Sequence, residues 1–70
     1  MKKIKILTGT TLLEMLEQWE EDKYSIEWGL FLEYPKNGGV YVACDNTGGD
    51  CWVEEFETLE AAVKWLLDIE

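Results

Sequence analysis

Seventy residues, 47% of them hydrophobic and 30% charged, are enough for one small core, so residues 1–70 are read as a single compact domain. Six lysines stand against fifteen acidic residues, a formal charge of -9, and the chain has neither Arg nor His. That balance argues against gripping nucleic-acid phosphates and, with no side chain that ordinarily titrates near neutrality, against most acid–base catalysis; it does not identify an activity.

The chain opens with Lys2–Leu7, where Lys and Ile alternate, and this stretch can form a short strand with Ile4 and Ile6 on one face. Its apolar run is too short for a secretory leader, and no later stretch approaches the roughly 20 apolar residues of a membrane span. A soluble, cytoplasmic protein is therefore expected. Thr11 stands three residues before Glu14, the spacing of a capping box, and predicts a helix from about Leu12 to Asp22. Leu12, Met15, Leu16 and Trp19 make its apolar stripe, with Glu14, Glu17, Glu20 and Glu21 outward. The acids near its far end oppose the helix dipole, so local propensity alone does not explain them.

From Ser25 the period changes to two. Ile26, Trp28, Leu30, Leu32 and Tyr34 alternate with Glu27, Gly29, Phe31 and Glu33, the pattern of a strand with one buried face. Asn37-Gly38 supplies the positive φ angles of a tight hairpin, Val40–Asp45 is the returning strand, and Asn46-Thr47-Gly48-Gly49 is a second turn before a third strand, Cys51–Phe56. Thr58 is a suitable N-cap, and Leu59, Ala62, Val63, Leu66 and Ile69 recur at helical spacing in a final helix. The expected fold is α+β: a two-layer sandwich, helix-strand-strand-strand-helix with an antiparallel sheet, both helices on one face, and an extra N-terminal strand available. Its expected core is Leu12, Leu16, Trp28, Leu30, Leu32, Val40, Val42, Val63 and Leu66.

That element order resembles the double-stranded RNA-binding domains. In that family a basic cluster at the start of the last helix grips phosphates, but the matching stretch here, Glu54-Glu55-Phe56-Glu57-Thr58-Leu59-Glu60, holds four carboxylates. The resemblance therefore implies topology without RNA binding. The segment Gly49–Leu66 also resembles small uncharacterised acidic proteins of bacteria and their phages. This likeness implies a bacterial or phage origin, and because small acidic phage proteins often act by occupying a host protein's nucleic-acid site, as some anti-CRISPR proteins do, it favours an inhibitor of a basic host protein.

Chemistry beyond binding has few parts to work with. Cys44 and Cys51 are two thiols without a His or a further Cys to complete a zinc site, and they are expected to be close, buried and reduced, facing one another across neighbouring strands. Asp45–Asp50 clusters oxygen donors but lacks the third-position and closing acids of a calcium loop, so a hairpin turn is expected there. Glu54 and Glu55 point to opposite faces of a strand, Ser25 has no His to activate it, and no Gly-rich phosphate loop occurs. No enzyme activity, metal or cofactor is expected.

The most informative surface is the outer sheet face. With Tyr34 opposite Val40, Glu33 faces Tyr41, Phe31 faces Ala43, and Gly29 faces Asp45; placing Cys51 opposite Cys44 adds Trp52 and Glu54 to the same side. The result is a strip of Phe31, Tyr41 and Trp52 bordered by Glu27, Glu33, Asp45, Asp50 and Glu54, the composition of a protein-binding patch. A basic host protein is the expected partner, with no direct nucleic-acid or membrane contact. The alternative is a structural domain that uses the same aromatics or an open sheet edge to form a homodimer or larger homo-oligomer.

Overall fold

The computed structural model describes residues 3–68. The described residues form an α+β domain with two α-helices and one four-stranded mixed sheet in the order β1-β2-β3-β4. The elements are β1 (Ile4–Leu7), α1 (Leu12–Glu21), β2 (Leu30–Glu33), β3 (Tyr41–Asp45), β4 (Trp52–Phe56) and α2 (Leu59–Leu67), with one 3-10 turn at Lys23–Ser25. The N-terminal strand pairs with β2 in parallel, Ile4 opposite Leu30 and Leu7 opposite Glu33, whereas β2, β3 and β4 form the expected antiparallel meander. A parallel pair cannot be closed by a hairpin, and α1 supplies the crossover.

Local signals place the helix ends. The Thr11 amide donates to Glu14 Oε1 at 2.9 Å and the Glu14 amide donates to Thr11 Oγ1 at 3.1 Å, completing the capping box. At the other end, Asp22 Oδ1 accepts from the Tyr24 amide at 3.0 Å and starts the 3-10 turn, which gives one of the acids near the end of α1 a structural task. That turn also shortens the strand expected from Ser25 onward to Leu30–Glu33. In α2, Thr58 Oγ1 accepts from the Ala61 amide at 3.2 Å.

The two helices lie on opposite faces of the sheet, not together on one face as the alternation had suggested. Leu7, Phe31 and Cys44 pack with Leu12 and Trp19 of α1, and the Trp19 and Phe31 rings meet edge to face with centroids 5.6 Å apart. Leu30, Leu32 and Ala43 pack with Ala62 and Leu66 of α2, and Phe56 leans on Trp65. The physical reason is visible in Leu30-Phe31-Leu32, where three successive apolar side chains supply both faces of a central strand. Reading Phe31 as outward counted only one of them.

Among the expected core residues, Leu12, Leu30, Leu32 and Leu66 are buried, and Leu16, Val40, Val42 and Val63 are half-buried. Trp28 is 67% exposed, because its indole lies against Gly49 in the β3–β4 loop and is not under a helix. Ile69, placed on the α2 stripe, and Lys2, placed at the start of the first strand, fall outside the described residues. No helix among the described residues is long and apolar enough to cross a membrane.

Candidate protein-binding surface

The β2–β3 turn decides which side chains share a face. Gly39 N–H donates to the Lys36 carbonyl at 3.1 Å, and Asn37 and Gly38 take φ of 53° and 79°, as a two-residue hairpin loop requires. A loop closed by Lys36 and Gly39 puts Tyr34 opposite Tyr41, whose rings meet at 5.3 Å, and Glu33 opposite Val42. It follows that Phe31 opposes Cys44 and Leu30 opposes Asp45. The register that placed Tyr34 opposite Val40 is one residue off, and a slip of one residue exchanges every side chain between faces.

The proposed aromatic strip is therefore divided. Phe31, 3% exposed, is a core residue beneath α1, and Glu33 shares that face, where its Oε1 accepts from the Leu12 amide at 2.6 Å and caps the first turn of α1. Tyr41, Asp45, Trp52 and Glu54 lie on the α2 face, with Trp52 directly opposite Asp45 and Glu54 opposite Ala43. Tyr41 is half-buried against the α2 core, whereas Trp52 is 66% exposed. Glu27 pairs with Lys5 at 3.4 Å near the other edge of the sheet, and Asp50 is exposed in the β3–β4 loop.

The β3–β4 loop is a built turn. Asp45 Oδ1 accepts from both the amide and the hydroxyl of Thr47, at 3.0 and 2.7 Å. Asn46 is buried, its Nδ2 donates to the Glu27 carbonyl at 2.7 Å, and its backbone exchanges hydrogen bonds with Gly29. Cys51 enters β4 with φ of 52° and is half-buried. Its Sγ lies 3.6 Å from Cys44 Sγ, and both thiols are free. The two thiols meet although Val53, not Cys51, is the strand partner of Cys44. Burial, followed by the hydrogen bond to Cys51 and the nearby negative charge, pushes the Cys44 thiol up to about 12.

What the fold does bring together is the β4 edge. Among the described residues β4 ends the sheet with β3 as its sole neighbour, and Trp52, Val53, Glu54 and Glu55 along it are all exposed. On the α1 side, Val53 and Val42 form the floor of an open groove of about 400 Å³, with Leu13 and Leu16 as its helical wall and Glu33 and Glu55 in its lining. Leu13 is 65% exposed and Val53 44%. Glu54, Glu55 and Glu57 have no lysine partner among the described residues; Lys64 is occupied at 3.1 Å by Glu60, one helical turn before it. Sequence reasoning missed Val53, Glu55 and Leu13. Two signals point to them: β4 ends a meander, so it is an edge, and Leu13 is a large apolar residue off the stripe of its helix.

The β4 edge thus brings carboxylates without lysine partners among the described residues together with exposed apolar side chains. Comparison with family models, curated proteins and solved structures finds no match to this chain.

Proposed function

We propose that this chain is a non-catalytic, acidic protein-binding module of the cytoplasm whose partner is a basic, nucleic-acid-binding protein, inhibited by having its cationic surface covered. The carrying observation is the β4 edge, where Glu54, Glu55 and Glu57, without lysine partners among the described residues, stand beside exposed Trp52 and Val53. Unpaired carboxylates steer a cationic partner, and a large aromatic at the centre of the contact supplies apolar area to retain it. A charge of -9 is that of a phosphate mimic more than a phosphate binder.

The test is capture of partners from bacterial lysate at low and moderate salt by the wild type and by Glu54→Gln/Glu55→Gln/Glu57→Gln. A basic protein held by the wild type, weakened by salt and lost by the triple variant is the expected result. Recovery of neutral or acidic partners alone, or micromolar binding of the purified chain to duplex DNA at physiological salt, contradicts it.

A second reading, homo-oligomerisation, is favoured by one observation. The opposite edge, β1, is also open, with exposed Ile6 and no carboxylate of its own, its Lys5 being paired with Glu27 at 3.4 Å, so a second copy offers β4 an edge without like charge. Sedimentation of the purified chain separates the two readings: a stable oligomer supports self-assembly, a monomer the heterologous partner.

A further inference from the structure

Each face of β4 carries an apolar side chain and a carboxylate, Val53 with Glu55 on the α1 side and Trp52 with Glu54 on the α2 side, and the α1 side opens onto the groove walled by Leu13 and Leu16. Between the two faces runs the strand's outer backbone, whose N–H and C=O groups have no neighbouring strand among the described residues to pair with.

We infer that β4 takes up an extended segment of the basic partner as a fifth strand, an inference that rests on the protein-binding role proposed above. The segment alternates apolar and basic residues. Its apolar side chains fall on the α1 side and enter the groove between Leu13 and Val53, whose lining also holds Glu55. Its lysines or arginines fall on the α2 side, where Glu54 receives the charge and the Trp52 ring receives the aliphatic stem. Backbone hydrogen bonds hold the segment, and the alternation selects it. Charge complementarity argues for this occupant over a second copy's β4, which would set Glu54 and Glu55 against the same carboxylates.

The probe is the peptide acetyl-Lys-Val-Lys-Val-Lys-Val-Lys-amide, titrated calorimetrically into the intact protein. A control peptide of identical side chains is methylated at every internal backbone nitrogen, which removes the strand's donors and keeps its charge. The expected result is one-to-one binding by the first peptide, weakened about tenfold or more in the methylated one. Leu13→Gln, at a position 65% exposed on α1, weakens it by about fivefold or more; Tyr24→Ala, fully exposed on the 3-10 turn, leaves it unchanged. Equal affinity for the two peptides overturns strand addition while leaving a charge-driven binding module in place. Failure of both peptides, alongside salt-sensitive capture of a basic protein that the triple glutamine variant loses, likewise overturns strand addition alone. Failure of both peptides without such capture overturns both proposals. Sedimentation of the free protein as an oligomer that the peptide dissociates assigns the edge to a second copy's β1 and overturns the heterologous occupant.

Discussion

β2 and β4 are strands of the same sheet, and each carries adjacent apolar residues that point to opposite faces. In β2 those residues, Leu30, Phe31 and Leu32, are all buried; in β4 the corresponding pair, Trp52 and Val53, is exposed. Side-chain hydrophobicity does not separate them, since Trp52 is larger than Leu32. Position does. β2 has β1 and β3 beside it and a helix over each face, whereas β4 has one neighbour, and on the α1 side an open groove. A short chain that leaves a Trp and a Val on an open edge keeps apolar area that its own folding does not use, and this is the physical basis for reading β4 as an interface.

The sharpest way to break this contrast is to truncate one aromatic in each strand. Phe31→Ala removes the ring that Trp19 packs against and should cost about 3–5 kcal/mol, comparable to the whole stability expected of so small a core; circular dichroism should show an unfolded or barely folded chain. Trp52→Ala should change stability by no more than about 0.5 kcal/mol while removing partner binding. A Trp52→Ala protein as unstable as Phe31→Ala would erase the distinction between core strand and binding strand.

A second test concerns the thiol beneath α1. An ordinary unfolded cysteine loses its proton near 9, whereas the folded Cys44 holds it to about 12. Between those values the folded chain binds the extra proton, so stability is fully present below about 9 and is lost as pH rises toward 12. Denaturant titrations should show this slope in the wild type and lack it in Cys44→Ala. The same burial should keep Cys44 from reacting with a thiol reagent near pH 8 until the protein is unfolded.

Smaller effects are expected at the loops and caps that present β4. Gly49 has φ of +83°, and a Cβ there would lie 2.8 Å from the Trp28 ring. Because that ring is largely exposed it can swing away, leaving mainly the left-handed backbone cost, so Gly49→Ala should lose about 1–2 kcal/mol in chemical denaturation. Thr11→Ala should lose about 1 kcal/mol through the cap of α1, without touching the β4 edge.

Much of this architecture was legible because local signals agreed with one another. Thr11 and Glu14, Asn37 and Gly38, and Thr58 each mark an element boundary by their own chemistry, and the stripe of α1 was read correctly from its spacing. The layer arrangement was not legible in the same way. Alternation tells which residues of a strand share a face, but a central strand with both faces covered offers no polar side from which to orient it. The site was lost at two steps. An Asn37-Gly38 loop closed by Lys36 and Gly39 already requires Tyr34 opposite Tyr41, so that information was in the turn, and starting from Val40 put Tyr41 and Asp45 on the face of Phe31; Phe31 itself was turned outward by giving β2 one covered face instead of two. The groove beside Val53 depends on where α1 lies relative to β3 and β4, a tertiary fact that no local pattern encodes.

Amide-resolved hydrogen exchange, with and without the alternating Lys-Val peptide, tests most directly whether β4 is the docking edge. In the free protein the amides of Leu30–Glu33 should exchange slowly and the outward-facing amides of Trp52–Phe56 much faster, since they have no strand partner. Adding the peptide should slow exchange along Trp52–Phe56 while leaving β1 unchanged. Protection appearing along Ile4–Leu7 instead, or no change in β4 at saturating peptide, would contradict strand addition at β4.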